Sequence, residues 1–367
     1  MNDAELRALF PLTNDTVYLN NAAASPFNSR SRQRLNEHLA VAVQSPDGLP
    51  SVRRPVRNHL SALLGGAPDD YALLTSTGVG IGMVSAGFRW QDGDNIVVPA
   101  DEHWNNTFPW LALKARGIDV RLAPVDSDQR VNPDKVAALV DDRTRILASA
   151  AVRFNTGFRA DLKQLSRIAH AVDALFVVDG IQCAGVVPVN VEEDGIDVFA
   201  SAGFKWLLGL PGTGFLYTNQ HARDRIDPVM PGMFAAGDNL RKLDLRPDGR
   251  RFETGSIAYS LFDAWIAGLE LLQEVGIETI YQRVLRLTDQ LISGLRSKIF
   301  EIASPVEKLS ERSAIISFSV GSVETNTALH QRLLQQGIHT ALRDGRIRIS
   351  PNFFNNEEDI NRFMEAL

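Results

Sequence analysis

The chain is 367 residues long, enough for one large α/β domain with an appendage or for two domains, and its 44% hydrophobic content supplies a sizeable core. Thirty-eight basic against 44 acidic residues leave a net charge of -6, which excludes the electrostatic footprint of a nucleic-acid or acidic-membrane binder and makes a small molecule the expected substrate. The single cysteine, Cys183, excludes an internal disulfide and a cysteine-based metal cluster.

The N-terminal "MNDAELRALF" has no basic segment leading into an apolar run, and the most apolar stretch, "ALFVVDGIQCAGVVPV", is broken by Asp179 and glycines, so a cytoplasmic protein without a membrane span is expected. From about residue 70 to 218, short β-like runs alternate with helical patterns. "YALLT" leads to "STGVGIGMVSAG", "NIVVPA" to the segment beginning "DEHWNN", "IDVRLAP" to "NPDKVAALV", and "TRILASA" to "RADLKQLSRIAHAV". "LFVVD" and "IDVFAS" follow with little between them. Nearly continuous apolar strands separated by helices predict βαβ units and a mostly parallel sheet covered on both faces. The polar stretch "DNLRKLDLRPDGRR" (238–251) reads as an exposed loop. Beyond residue 255, helices are expected at 259–275 and 278–300, then a strand "AIISFSV", a helix near 324–336, paired strands around "IHTAL" and "RIRIS", and a final helix. The resulting division is a large α/β domain over 17–250 and a smaller α+β domain made of 1–16 and 251–367.

Within this pattern "SAGFKWLLGLPGTGFLY" (201–217) sets one lysine among small and aromatic residues. Lysine is almost never buried without a partner, so Lys205 calls for a chemical use or an exposed position. Ligands of open α/β sheets sit beyond the carboxyl ends of the strands, where "LFVVD" places Asp179 and "DVFAS" ends just before Lys205. The two charges can therefore meet in one crevice, with a helix cap or turn as the alternative role for Asp179.

"YLNNAAASP" (18–26), "VDGIQ" (178–182), the Lys205 stretch and "RFETGS" (251–256) together resemble the class V aminotransferases of the fold type I pyridoxal-phosphate (PLP) enzymes. That family includes cysteine desulfurases, selenocysteine lyase, kynureninase and isopenicillin N epimerase-like proteins. The resemblance runs from about residue 17 to the C-terminus and implies a fold type I enzyme whose cofactor is PLP. PLP needs a primary amine to hold it as a Schiff base, a role that falls to Lys205. An acid facing the pyridine nitrogen keeps it protonated, which maps to Asp179.

The same resemblance places Gln182 near the ring hydroxyl and His103 of "EHWNNTFPW" flat on the ring, with Trp104 as wall or core. It places the phosphate on Ser76, Thr77 and Gly78, where small residues at a helix start offer backbone N–H groups to an anion. Gly255 and Ser256 would reach the phosphate of a neighbouring subunit, implying a homodimer with shared sites. Asn21 and the arginine of "RDG", Arg343, are assigned to the substrate, with Arg348 bracing the following loop. The structural alternatives are a surface amide for Gln182, an ordinary capped helix for "STG", a simple turn for "TGS" and an exposed hairpin for the arginines.

The chain departs from the family pattern at Ala202 and Phe204, where a serine and a histidine are frequent. "AVRFNTGFRADL" matches the kynureninase and epimerase-like branch better than the desulfurase branch. The loop "LRDGRIRISPNFFNN" carries no cysteine where desulfurases place their nucleophile, and Cys183 reads as a structural thiol. The expected activity is Cα chemistry on a small amino acid, as an aminotransferase or a C–S/β-lyase, with epimerisation as the alternative. A doubly wound nucleotide-binding protein without PLP is a further alternative. It needs G-x-G-x-x-G with an acid about 20 residues on, whereas "GVGIGMVSAG" misplaces its third glycine.

Overall fold

The structure is a computed structural model that describes residues 1–237 and 241–367. Its central sheet has seven strands in the order Tyr71–Leu74, Gly214–Thr218, Val198–Ala202, Leu175–Asp179, Thr144–Ala150, Asn95–Pro99 and Asp119–Ala123. The last five are mutually parallel, and Gly214–Thr218 runs antiparallel to both of its neighbours. The expected α/β class with a mostly parallel sheet is therefore the observed one. Its reason lies in the side-chain alternation: both faces are covered, so consecutive residues of one strand enter different cores. Leu147, Phe176 and Val178 belong to the larger core, whereas Ile146, Leu175 and Val177 pack under the helix Thr77–Gly87.

The helices follow from local chemistry. Asp161 caps Leu162–His170 by accepting a bond from the Gln164 amide at 2.9 Å, and Ser76 caps Thr77–Gly87 through the Val79 amide at 3.2 Å. The segment beginning "DEHWNN" is not a regular helix. It forms a 3₁₀ turn at Trp104–Asn106 and a four-residue helix, Phe108–Leu111, because Pro109 suits only a helix's first turn.

The C-terminal part packs helices Ile277–Ser297, Val323–Gln335 and Glu357–Glu365 on an antiparallel sheet of order Ala341–Arg343, Arg346–Ile349, Ile316–Ser319 and Glu301–Ile302. The two strands expected near "IHTAL" and "RIRIS" divide differently: Ile338–His339 pairs in parallel with Val17–Tyr18, and only Ala341–Arg343 joins the hairpin. Of the loop expected at 238–251, residues 238–240 lie outside the described residues, residues 241–244 are exposed, and residues 249–251 instead belong to a 3₁₀ turn, Gly249–Phe252, with Gly249 buried. Among the described residues no helix is long and apolar enough to cross a membrane.

Candidate active site

The loop after Val198–Ala202 answers why a lysine stands among aromatic residues. Trp206 is fully buried and its indole donates to Gln182 Oε1 at 2.9 Å, while Trp265 donates to the Leu207 carbonyl at 2.9 Å. Gly203 bonds across to Thr213 at 2.8 Å, and the Phe204 carbonyl accepts from Ser25 at 3.1 Å. The loop is thus pinned on both flanks of Lys205, whose side chain is 8% exposed and enters a cavity of about 240 Å³. Burial lowers the ammonium's proton affinity, the charges of Arg348 and Arg343 add to this, and Asp179 opposes it.

Asp179 ends its strand in the same cavity, 3% exposed, with Oδ1 accepting from the Ile181 amide at 3.0 Å. The turn that follows needs glycine: a Cβ on Gly180 would stand 1.9 Å from the Phe199 ring. Burial raises the carboxyl's proton affinity and the nearby Glu102 adds to it, with Lys205 and the Ile181 bond pulling the other way.

His103 lines the wall opposite, its ring 5.2 Å from Phe154 and nearly perpendicular to it. Its Nδ1 accepts from the Asn105 amide at 3.2 Å, so the neutral ring carries its proton on Nε2. Burial holds the imidazole down to about 4, helped by the charges of Lys205, Arg343 and Arg348. An unfolded chain takes up this proton near 6.5, so between pH 4 and 6.5 the unfolded state binds more protons and folding weakens as pH falls. His103→Gln lacks this contribution, so without cofactor its urea midpoint is expected to rise relative to the parent's as pH falls from 7 to 5. An equal change in both proteins would contradict the assignment.

The helix Thr77–Gly87 aims its first turn at the cavity, where backbone N–H groups lack intrahelical partners. The Thr77 hydroxyl is buried there with no protein partner. Across the cavity Ala341, Arg343 and Arg348 share one face of the hairpin, Ala341 lying opposite Arg348. Arg348 is 1% exposed. Its Nη1 donates to the Phe154 carbonyl at 2.6 Å, and its Nε and Nη2 have no partner. Arg343 is exposed at the same cavity and donates to the neighbouring Leu342 carbonyl at 2.8 Å.

Gln182 also lines the cavity, but its amide is held at both ends, by Trp206 and by the Ala22 carbonyl at 3.0 Å. Asn21 is buried beside the wall and donates to the Ser350 carbonyl at 2.9 Å. The structure does not bring Asn21, Gly78, Gly255 or Ser256 into the cavity wall. Gly255 instead offers its carbonyl to Arg53 at 2.8 Å, and Arg53 and Arg57 both grip the buried Glu253.

Two features escaped sequence reasoning. Glu102 is buried beside Asp179 and accepts from the Ala150 amide at 3.0 Å, and Arg153 holds the preceding turn through the carbonyls of Ala100 and Asp101. Its only signal was an acid directly before His103. Phe154 forms the cavity's apolar flank, in a segment whose sequence marked a departure and no more.

These residues suit PLP. A desolvated amine, a buried acid at a strand end, a flat neutral imidazole, and an anion-ready helix start with an unsatisfied hydroxyl converge on one cavity. A larger hollow of about 640 Å³ lacks this chemistry: its Lys163 is 58% exposed and pairs with Asp194 at 3.9 Å.

The sequence profile of the family described as "Aminotransferase class-V" matches residues 49–363. A probable cysteine desulfurase of Methanothermobacter thermautotrophicus is 27% identical over all of this chain and 98% of its own length. The apo cysteine desulfurase of Thermococcus onnurineus NA1 superposes with a TM-score of 0.90 at 21% identity, covering 99% of this chain and 96% of that one. The cystine C–S lyase C-DES, in complex with its product cysteine persulfide, gives 0.90 at 23% identity over 97% and 98%. Its fold is the same.

Proposed function

The chain belongs to the class-V aminotransferases, a family of PLP-dependent enzymes, and from that premise we propose that it is a C–S β-lyase acting on a small sulfur-bearing α-amino acid. The observation that carries the proposal is the convergence of buried Lys205 and Asp179 with two unpartnered guanidinium nitrogens of Arg348 in one cavity. The cysteine desulfurases and the cystine lyase among its relatives support the C–S bond as the target. Cys183 supports lysis over persulfide transfer. It is the chain's only cysteine, its Sγ is tied to the Gly180 carbonyl at 3.3 Å, and burial pushes its thiol well up, so it offers no thiolate to departing sulfur.

Lys205 would hold the cofactor's aldehyde carbon, Asp179 its pyridine nitrogen, His103 its ring face, and the helix start at Ser76 and Thr77 its phosphate. When bound, PLP supplies a sink for the electron pair released at the substrate's Cα. Arg348 fixes the substrate carboxylate by filling its two empty donors, and Arg343 stands at the mouth. Lys205 Nζ, whose proton affinity burial lowers, would take the Cα proton. The Cβ–S bond then breaks, sulfur leaves with the electron pair and takes up a proton, and the remaining aminoacrylate hydrolyses to pyruvate and ammonia. Phe154 and Phe204 keep water from the reacting carbon. Gly255 and Ser256 would complete the phosphate site of a second copy, which makes the working form a homodimer.

Incubation with a panel of amino acids that includes cystine and cysteine tests the reading: pyruvate and reduced sulfur should appear together. A keto acid retaining the substrate's side chain would make the enzyme an aminotransferase, and inversion without bond cleavage an epimerase. Arg348→Lys keeps the charge but loses the fork, and is expected to raise KM by about 10- to 100-fold with PLP content unchanged. Arg343→Lys should have a smaller effect. The reverse order would move the carboxylate to Arg343, and no effect in either would mean that the substrate carries no α-carboxylate.

A further inference from the structure

At the opposite end of the central sheet, where the strand that finishes in Asp179 begins about 13 Å away, a second group of chemical side chains meets. His170 ends the helix Leu162–His170, Asp173 precedes the strand Leu175–Asp179, Asp197 precedes Val198–Ala202, and His221 lies in the short helix after Gly214–Thr218. Asp197 is 2% exposed. Its Oδ2 faces His170 Nε2 at 2.7 Å and its Oδ1 faces His221 Nδ1 at 3.3 Å. The carboxylate is oriented from behind by the Phe176 amide at 2.7 Å and the Asn219 side-chain amide at 2.7 Å.

His170 Nδ1 faces Ser166 Oγ at 3.3 Å, a hydroxyl that itself donates to the Gly195 carbonyl at 2.8 Å, and His221 Nε2 faces Asp173 Oδ1 at 3.1 Å. Asp197 thus presents an imidazole to each of its two oxygens, and the arginine that pairs with this group in the described structure, Arg225, reaches Asp173 alone, at 2.6 Å.

We propose that His170, His221 and Asp197 bind Zn²⁺ or a similar transition-metal dication, with a water completing four-coordination. One ligand atom from each of the three lies within 4.8 Å of the others. Ligands of tetrahedral zinc with bonds of about 2.0–2.2 Å stand about 3.4 Å apart, so the His170–Asp197 pair, now at 2.7 Å, opens and the wider separations close by rotation of the partly exposed imidazoles. Asp197 is already held by two amides and His170 by Ser166, the outer support that metal-binding carboxylates and imidazoles require. Two imidazoles and a carboxylate suit zinc and copper over calcium and magnesium. The ion would tie the end of a covering helix to the start of one central strand and to the short helix Gln220–Arg223, as a structural centre independent of the catalytic reading.

The test uses the untagged, PLP-loaded full chain, stripped of metal with a chelator. Zinc is titrated against a chromophoric chelator, with thermal melting as a second readout. One equivalent should bind and raise Tm. His170→Gln and His221→Gln should each weaken binding by at least about 10-fold, while circular dichroism without metal matches the parent. Co²⁺ bound to the unaltered chain should show visible d–d bands of a four-coordinate site, a readout that does not depend on any variant. Absence of a saturable equivalent, zinc uptake unchanged in both variants, or no four-coordinate cobalt spectrum would each overturn the proposal.

Discussion

Lys205→Ala is expected to lower turnover by at least about 10³-fold, because general-base catalysis by a positioned group contributes about 10²- to 10⁴-fold and the same amine also anchors the cofactor. The loss should be chemical. Lys205 is 8% exposed and its charged form is disfavoured by burial and by Arg348 and Arg343, so its removal should not weaken folding of the cofactor-free protein. Borohydride reduction of the unaltered enzyme followed by peptide mapping should find the pyridoxyl label on Lys205. A label on any other lysine, or turnover within tenfold of the parent in Lys205→Ala, would remove this residue from the mechanism.

Asp179→Asn should cut turnover by about 10²- to 10³-fold, the range measured when one pre-placed electrostatic partner is lost. Asparagine keeps the shape and an oxygen for the Ile181 amide, now held at 3.0 Å, but it cannot stabilise a proton on the pyridine nitrogen. Stability should move the other way. Burial and Glu102 raise the Asp179 carboxyl above its ordinary 3.8, so the folded state binds more protons than the unfolded one above that pH. Stability from this group is therefore lost as pH rises through the folded-state value, and the asparagine variant should not show that loss. Urea midpoints of the cofactor-free proteins at pH 5 and pH 8 measure it. Near-normal turnover in Asp179→Asn would exclude the electron-sink role, whatever the midpoints show.

Much of this architecture was legible in the residues. Runs such as "TRILASA" and "LFVVD" are apolar without alternation because both faces of each strand are covered, and that alone marks a central, mostly parallel sheet. Ends of such strands are where a ligand crevice opens, so Asp179 and the loop of Lys205 were recognisable as candidates before any coordinates. The irregular backbone around His103 was not, because a 3₁₀ turn and a four-residue helix carry no period long enough to read.

What the sequence determined by itself was local and periodic: which runs are strands, which helices have caps, and which family the combined motifs resemble. Tertiary structure alone decided which charges lose their water. Arg343 and Arg348 share a strand pair and a face, yet only Arg348 is buried with empty donors, because the Phe154 carbonyl, far away in the chain, closes over it. Glu102 gains its place beside Asp179, and Asp197 its two imidazoles, through the same kind of long-range packing. Hydrophobic pattern is written in neighbours along the chain, whereas desolvation and the partners of a buried polar atom are set by residues that only folding brings together.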